Sequence, residues 1–290
     1  MTPLVLGGLA VLLAWPVPAI LTRVPRLRRT PASAMLLWQS VALAAVLAAL
    51  GAGLSLATTE AWRRAPSASE YAVAAAALGV TGLVVGRLLL TGRLVGTELR
   101  AIRRRHLEQV DLVGRRVSDG ALRVLEHELP VAYCLPGLNH SRIVLSSGAV
   151  ARLSPDGLAA VLAHERAHLR ARHDLVLEAF TVLHRAFPRG VSSRAVLEEV
   201  SLLAEVLADR SAVRSGPSPS ALGQALLAMA QGSRPEGTLG AADTGLVTRV
   251  ELLGDRRPHR LQSLVVVVAA VAVLAVPTLF VVGPWLASLR

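Results

Sequence analysis

Residues 261–289 read LQSLVVVVAAVAVLAVPTLFVVGPWLASL and contain no charged side chain. A helix needs about 20 mostly apolar residues to cross the hydrocarbon core of a bilayer, and this stretch exceeds that length. Residues 3–22 and 31–59 are also uncharged, and an apolar pattern at 71–94 continues past Arg87, whose long side chain could reach the membrane interface. The sequence therefore predicts four transmembrane helices, at residues 3–22, 33–57, 71–94 and 262–286.

The overall composition favours a membrane protein. Hydrophobic residues form 53% of the chain, charged residues form 18%, and the mean hydropathy is +0.51, whereas an ordinary globular domain is about 25% charged. Disordered, collagen-like and disulfide-rich proteins are excluded, because the chain is too apolar, has no glycine repeat and contains a single cysteine, Cys134. A lone cysteine forms no disulfide within its chain, which agrees with a reducing, cytoplasmic environment.

The distribution of arginine predicts the orientation in the membrane. All 31 basic residues are arginine, and the formal net charge is +11. Between the second and third spans, Arg63 and Arg64 are balanced by Glu60 and Glu70. Twelve arginines lie shortly after the first and third spans or before the fourth, namely Arg23, Arg26, Arg28, Arg29, Arg93, Arg100, Arg103, Arg104, Arg105, Arg256, Arg257 and Arg260. Because positively charged loops stay in the cytoplasm, we expect both termini outside and the long middle segment inside a bacterial plasma membrane.

Residues 95–260, between the third and fourth spans, are predicted to form one cytoplasmic domain. Two apolar runs, Pro130–Leu135 and Arg142–Ser147, predict strands, and the pattern from Ser154 onward is helical. Most of the basic surplus lies beside the membrane, and the run Ile102–His106 lacks interleaved aromatic residues, so we expect no direct nucleic-acid binding. The predicted fold class is mainly α: an integral membrane protein whose cytoplasmic α+β domain is inserted between transmembrane helices 3 and 4.

The middle segment contains His164-Glu165-Arg166-Ala167-His168, an HExxH pattern on a predicted helix. Residues four apart share one face of a helix, so His164 and His168 can bind one Zn²⁺. Glu165 beside them can act as the general base on a zinc-activated water. The alternative is an arginine-rich amphipathic helix with incidental histidines, since Arg166 stands where stricter zinc-protease patterns avoid a charge.

A hydrolytic zinc site usually needs a third protein ligand and one open position. Glu205 and Asp209 lie four residues apart on the predicted helix 192–214, on a face that is otherwise largely apolar. Glu205 could ligate zinc while Asp209 holds a ligand histidine by its other ring nitrogen. Alternatively, the two carboxylates form salt bridges with arginines of neighbouring helices. The rival ligands are Glu178, Glu198 and Glu199.

These motifs together resemble those of membrane-embedded gluzincin peptidases. The pattern His164-Glu165-x-x-His168 followed by Glu205-x-x-x-Asp209 is similar to that of the BlaR/MecR antirepressor peptidases and, more distantly, of the HtpX/CAAX-prenyl-protease group. The first group is resembled more closely, both in the arrangement of three spans before the catalytic segment and one after it and in local sequence. The local matches are Cys134-Leu135-Pro136-Gly137, Arg142–Gly148 (RIVLSSG) and Leu158–His168 (LAAVLAHERAH). The resemblance covers nearly the whole chain and is strongest at 130–212.

The resemblance implies a role for each residue of the site. His164, His168 and Glu205 would ligate one Zn²⁺ per chain, Glu165 would be the general base and acid, and Asp209 would hold a ligand histidine. An edge strand would pair with the extended substrate backbone, and it would consist of Arg142, Ile143, Val144, Leu145 and Ser146. The implied activity is that of a zinc-dependent metalloendopeptidase whose substrate is a cytoplasmic protein, by analogy a transcriptional repressor in a signalling pathway.

The sequence departs from the BlaR/MecR pattern at its C-terminal end. Sensors of that family carry a large extracellular domain after the last span, whereas this sequence stops within a few residues of it and has no Ser-x-x-Lys motif. We therefore expect a member without the sensor domain, and no direct sensing of penicillin through such a domain.

Two other functions stay open. The same ligands fit a quality-control protease that clips damaged membrane proteins, as in the HtpX-like group. A non-catalytic signalling or scaffold protein would instead have a structural zinc site closed by a fourth protein ligand, for which Cys134 and His173 are candidates. The simpler interpretation of His173 is an interaction with the dipole of a helix end.

Overall fold

The structure, a computed structural model, describes residues 2–61, 67–117, 120–137, 140–187, 194–232, 241–255 and 257–288. Its helices are α1 (Thr2–Ala14), α2 (Pro16–Leu21), α3 (Pro31–Ala61), α4 (Ala68–Val113), α5 (Ser147–Arg152), α6 (Pro155–Ala171), α7 (His173–Ala186), α8 (Arg194–Arg214), α9 (Pro219–Gly232), α10 (Ala241–Gly254) and α11 (Arg260–Ser288). A short 3₁₀ helix spans Pro25–Arg29. The strands are β1 (Arg115–Arg116), β2 (Leu122–Leu125), β3 (Ala132–Leu135) and β4 (Arg142–Ser146). Three arginines used for the orientation, Arg63, Arg64 and Arg256, and residues 192 and 193 of a predicted helix lie outside the described residues.

The chain divides into two compact units. Unit 1 comprises residues 1–94, 180–200 and 259–290, and unit 2 comprises residues 95–179 and 201–258. In the described part of the chain, four helical segments are long and apolar enough to cross a membrane, which suggests a membrane protein. These segments are Thr2–Leu21, Pro31–Thr58, Ala68–Val113 and Arg260–Val281, and each overlaps one of the predicted spans.

The first apolar segment is divided in two. α1 ends at Ala14 and α2 begins at Pro16, while Trp15 between them has a φ of −127° and a ψ of −72°. Proline lacks a backbone N–H and its ring crowds the preceding residue out of the helical conformation. Pro16 therefore explains the break at Trp15.

The third apolar segment, in contrast, belongs to a helix that is unbroken and longer than the predicted span. α4 is a single helix from Ala68 to Val113, so no loop separates the predicted span at 71–94 from the residues that follow it. This segment contains no proline, and its charged second half is rich in leucine, arginine and glutamate, which favour helix. The helix therefore changes from an apolar to a charged surface without interruption.

Within unit 1, α3 packs against both α1 and α11. The buried side chains of α3 include Trp38 and many small residues, such as Ala44 and Ala48. Small residues let helix backbones approach closely in membrane proteins. Ser263 of α11 adds a hydrogen bond of 3.3 Å to Ser33 of α3, so a polar contact accompanies the close packing.

Arg87 forms a hydrogen bond inside unit 1 rather than only reaching toward an interface. Its Nε donates to the carbonyl oxygen of Ala186, at 2.9 Å, and Ala186 is the last residue of α7. Carbonyls in the last turn of a helix have no partner within the helix. The guanidinium of Arg87 therefore caps α7.

Unit 2 contains a four-stranded sheet in the order β1-β2-β4-β3. β2 pairs with β4 in parallel, and β3 pairs with β4 antiparallel, with Tyr133 opposite Val144. The predicted strands at Pro130–Leu135 and Arg142–Ser147 correspond to β3 and β4, whereas the sequence analysis missed β1 and β2. β2 is short and carries a charged residue, Arg123, at a buried position, which hides its apolar alternation.

The position of β4 corrects one prediction. Arg142, Ile143, Val144, Leu145 and Ser146 do not form an edge strand, because β4 lies between β2 and β3. Pairing on both sides buries the middle of the strand, where each apolar side chain is at most 5% exposed. β3 is instead the edge strand on this side of the sheet, since β4 is the one strand of the described residues that pairs with it.

An ion-pair cluster ties α4 to the two central strands. The side chain of Arg123 on β2 is 1% exposed, and its NH2 lies 2.8 Å from Oδ1 of Asp111 on α4. Arg142 on β4 binds both oxygens of the same carboxylate, at 2.9 and 3.0 Å. Asp111 thus neutralises a buried guanidinium and joins helix to sheet.

The helix that carries HExxH begins and ends at clear signals. Ser154 is the N-cap of α6 and accepts a hydrogen bond of 3.1 Å from the backbone N–H of Gly157, and Pro155 occupies the first helical position, where its missing N–H is harmless. Arg172 follows the last turn in a left-handed conformation, with a φ of 49° and a ψ of 45°. The chain then turns directly into α7 at His173.

Candidate metal centre

Three side chains of α6 face the interior of unit 2. His164 and Glu165 are buried, and the side chain of His168 is 13% exposed. Arg166, in contrast, is exposed. The charge of Arg166 therefore stays on the outer face of the helix, and its presence inside HExxH does not disturb the buried histidines.

The two histidines meet Glu205 of α8. Their Nε2 atoms lie 3.2 Å apart. Oε2 of Glu205 is 3.4 Å from Nε2 of His164, and Oε1 is 3.3 Å from Nε2 of His168. Ligands bound to a tetrahedral zinc ion at about 2.0–2.1 Å are separated from one another by about 3.3 Å. Both the spacing and the donor set, two imidazoles and one carboxylate, therefore fit a zinc ion.

This set of potential ligands has three members rather than four. Within the described ranges, the group comprises His164, His168 and Glu205, and no further His, Cys, Asp or Glu belongs to it. Structural zinc sites are closed by four protein ligands, whereas catalytic sites keep one position for water or substrate. The arrangement matches the catalytic type, and neither Cys134 nor His173 supplies a fourth ligand.

Asp209, one turn after Glu205, lies behind His164. Its Oδ1 is 2.8 Å from Nδ1 of His164, although the carboxylate lies off the direction of the ring N–H, so Nδ1 has no linear hydrogen bond. Asp209 is 1% exposed. A carboxylate that touches the outer nitrogen of a ligand histidine holds the ring with its other nitrogen toward the metal.

Arg249 of α10 is a member of the site that the sequence analysis missed. Its Nε and NH2 bind the two oxygens of Asp209 at 2.8 and 2.7 Å, and its NH1 lies 2.9 Å from Oε2 of Glu205. One guanidinium therefore contacts both carboxylates. The predicted alternative, salt bridges between these acids and an arginine of a neighbouring helix, is thus present together with the histidine contacts. Oδ1 of Asp209 and Oε2 of Glu205 each face both Arg249 and His164.

The contacts shift the pKa values of the site in consistent directions. Burial opposes the charge on Glu205 and Asp209, but their contacts with His164 and Arg249 outweigh it and lower the pKa of both carboxyls. Burial likewise opposes protonation of His164, yet the same two carboxylates raise its pKa to about 9. Both acids are thus charged at neutral pH, and a metal cation competes with a proton for His164.

Two further side chains of the site are those of His173 and Cys134. Nδ1 of His173 is 3.1 Å from Nδ1 of His168, and burial lowers the pKa of His173 to about 4, so it is neutral. On β3, burial and the carboxylate of Glu165 raise the pKa of the Cys134 thiol. β3 packs against α6, the helix that carries Glu165.

The rival ligands have partners elsewhere. Glu199 binds Arg28 through a short ion pair of 2.6 Å. Glu178 lies 3.4 Å from Arg103, and the exposed Glu198 pairs with Arg194 one turn earlier in α8. None of the three lies in the histidine group. Glu205 is the acid that the structure brings to His164 and His168.

Comparison with known proteins agrees with this arrangement for the first part of the site. Residues 98–187 match the model of peptidase family M48, a segment that includes HExxH but ends before Glu205, Asp209 and Arg249. No significant match was found among curated proteins or solved structures. The family match supports an M48 metallopeptidase, and hence a hydrolase, and peptidases of this family depend on zinc.

Proposed function

We propose that the protein is a membrane-bound zinc metalloendopeptidase. The observation that carries this proposal is the triangle of His164, His168 and Glu205 donors, 3.2 to 3.4 Å apart, with no fourth ligand among the described residues and Glu165 next in sequence to the first ligand. A non-catalytic zinc site would have no use for an acid at this position. The match to peptidase family M48 agrees with a hydrolytic role.

The residues divide the chemistry of peptide hydrolysis between them. Zinc, when bound by the three ligands, would supply the Lewis acid that polarises the scissile carbonyl and makes water more acidic. Glu165 accepts a proton from the attacking water while the water oxygen bonds to the carbonyl carbon. It then delivers that proton to the leaving amine as the C–N bond breaks. Arg249 and Asp209 hold Glu205 and His164 in place during both steps.

The substrate backbone binds along β3 in this proposal. β3 is the edge strand beside β4, and it packs against α6, the helix that carries Glu165. An exposed edge binds an extended peptide through main-chain hydrogen bonds. Hydrogen bonds of Val131 with Ser146 turn the backbone of Val131 toward β4, and the alternation of an antiparallel pair then turns the backbone of Ala132 and Cys134 to the outer side.

The proposed substrate is a cytoplasmic protein, by resemblance a transcriptional repressor. Support comes from the local likeness of residues 130–212 to the BlaR/MecR antirepressor peptidases, and from the arginine-rich loops that favour a cytoplasmic position for residues 95–260 under the positive-inside rule. Both termini then lie outside the plasma membrane. A quality-control protease would share the metal ligands and differ in its substrates.

The first experiment measures zinc and peptide hydrolysis in the intact protein purified in detergent. Wild type is expected to contain about one zinc ion per chain and to cleave peptides of a mixed peptide library, with products identified by mass spectrometry. Glu165→Gln should keep its zinc and lose hydrolysis by about 100-fold or more. Glu205→Ala should lose zinc and hydrolysis together.

Glu198→Ala is the matched control, because Glu198 is an exposed acid on the same helix. It should keep both zinc and activity. Zinc binding unaffected by Glu205→Ala would contradict the ligand set, and full activity of Glu165→Gln would contradict the mechanism. Glu165→Gln then serves as a substrate trap in cells, where capture of a small DNA-binding protein supports the repressor and capture of damaged membrane proteins supports quality control.

A further inference from the structure

The second ligand histidine has a neighbour whose role no motif indicates. His173 is 6% exposed, and its Nδ1 lies 3.1 Å from Nδ1 of His168. The two rings are perpendicular, with an interplanar angle of 90° and centroids 4.8 Å apart. The contact therefore joins His173 to the nitrogen of His168 that faces away from Glu205 and His164.

We propose that His173 is a positioning residue that fixes the orientation and tautomer of His168 as a metal ligand. The inference deepens the proposed function and rests on it, because it concerns how one zinc ligand is held. It assigns His173 neither to the metal itself nor only to the dipole of a helix end.

The direction of the hydrogen bond follows from the metal. A neutral imidazole has one N–H and one lone pair, and Nε2 of His168 faces the other two ligands, so its lone pair must be on Nε2. The proton of His168 is then on Nδ1 and points at His173. Nδ1 of His173 accepts it, and the proton of His173 is on Nε2.

The backbone explains why His173 can reach back to His168. Arg172 adopts a left-handed conformation, which ends α6 and starts α7 one residue later. Arg172 also binds Asp174 at 3.1 Å, and Arg103 of α4 lies 3.4 Å from the same carboxylate. These contacts fix the first turn of α7, and the buried ring of His173 is fixed with it.

The two ligand histidines consequently have different partners. The outer nitrogen of His164 faces the carboxylate of Asp209, whereas the outer nitrogen of His168 faces the imidazole of His173. Ligand histidines usually donate this N–H to a carboxylate, a carbonyl or water, and loss of the partner typically costs 10–100-fold in metal affinity. We therefore expect loss of the His173 acceptor to weaken zinc binding by the same factor, about 10–100-fold.

The test compares two substitutions that separate hydrogen bonding from shape. His173→Asn places an acceptor oxygen close to the position of Nδ1, whereas His173→Phe keeps an aromatic ring and removes the acceptor. We expect His173→Phe to weaken zinc binding by about 10–100-fold in a chelator competition assay, and His173→Asn to stay within about threefold of wild type. The visible spectrum of the Co²⁺-loaded protein should change in His173→Phe and not in His173→Asn.

His140→Phe is the control, because His140 is an exposed histidine outside the cluster. Thermal unfolding in the presence of a chelator establishes that each variant is folded before metal is added, and His173→Leu replaces His173→Phe if the latter is not. Equal zinc affinity of His173→Phe and wild type overturns the proposal. An equal loss in His173→Asn and His173→Phe also overturns it, since His173 would then fill space or bind the metal directly.

These outcomes are distinct from failure of the proposed function. If wild type bound no zinc or cleaved no peptide, the peptidase itself would be refuted. If wild type bound zinc and cleaved peptides while His173→Phe bound zinc normally, only the role of His173 would be refuted.

Discussion

At the scale of single residues, Arg249 balances the charge of the two carboxylates of the site. Two carboxylates and two imidazoles meet in a small volume, and both carboxylates are charged. Arg249 contacts both of them, and its side chain is 15% exposed. Its guanidinium therefore offsets the repulsion between Glu205 and Asp209.

Replacing Arg249 with methionine should destabilise the protein most when zinc is removed. Leaving the buried carboxylate of Asp209 without its partner costs about 3 kcal/mol or more, so Arg249→Met should unfold at a lower temperature than wild type in a chelator. Added zinc should reduce the difference in unfolding temperature between Arg249→Met and wild type, because a bound cation offsets the negative charge of the same carboxylates. Differential scanning fluorimetry in detergent measures both conditions.

Arg104→Met is the control for Arg249→Met, since Arg104 is an arginine whose side chain is 83% exposed. It should leave the unfolding temperature unchanged with or without zinc. A difference between Arg249→Met and wild type that does not depend on zinc would contradict the proposed charge balance.

The sequence predicted the residues of the site that local spacing controls and missed those that depend on distant contacts. HExxH and ExxxD are patterns within single helices, so their residues could be assigned to one face. Arg249 is one arginine among many in the chain, and its position beside Glu205 depends on the packing of α10. The bond between His173 and His168 depends on the left-handed Arg172, which no sequence pattern marked.

At the scale of elements, Asp111 joins α4 to the sheet. Asp111→Ala would leave Arg123, whose side chain is 1% exposed, without its carboxylate. Because Asp111 is itself 32% exposed, we expect a loss at the lower end of that seen for broken buried ion pairs, about 3 kcal/mol in the free energy of unfolding. Chemical or thermal unfolding of the intact protein in detergent measures it.

Glu108→Ala provides the comparison for Asp111→Ala on the same helix. Glu108 pairs with Arg104 at the surface, where both side chains are more than half exposed, and such pairs contribute about 0.5 kcal/mol or less. A similar loss in the free energy of unfolding for Asp111→Ala and Glu108→Ala would show that the ion-pair cluster around Asp111 stabilises the protein no more than a surface ion pair does.

The edge strand gives a second prediction at this scale. Ala132 turns its backbone to the outer side of β3, so Ala132→Pro removes an N–H that would bind substrate and spares the pairing with β4. We expect kcat/KM to fall about tenfold or more with little change in unfolding temperature, since edge strands tolerate proline. Tyr133→Pro instead removes an N–H that faces β4 and should lower the unfolding temperature. Unchanged kcat/KM in Ala132→Pro would contradict substrate binding at β3.

The wrong assignment of the edge strand shows which part of a sheet a sequence leaves open. The sequence located β3 and β4 from their apolar residues and the turn between them. The order of strands depends on β2, which pairs directly with β4 in parallel although β3 lies between them in the sequence. Such non-local pairing has no short-range signature, and a four-residue strand with a buried arginine gives a weak signal of its own.

At the scale of the whole molecule, the orientation in the membrane can be tested by cysteine labelling. Cys134 is the one cysteine of the sequence, so Cys134→Ala provides a background for single cysteines. A thiol reagent that cannot cross membranes should label Ser67→Cys, after the second span, in intact cells. It should label Arg26→Cys, after the first span, only once the membrane is broken. Labelling of Arg26→Cys in intact cells would reverse the proposed orientation.

The position of Arg249 in the chain also orders the events of biosynthesis. A ribosome that has completed α8 has already made both histidines, Glu165, Glu205 and Asp209. The guanidinium that bonds both carboxylates arrives with α10, after all of them. A growing chain therefore carries both histidines and both carboxylates before it carries the cation that contacts them, so the contacts of Arg249 can form only after α10 has been made.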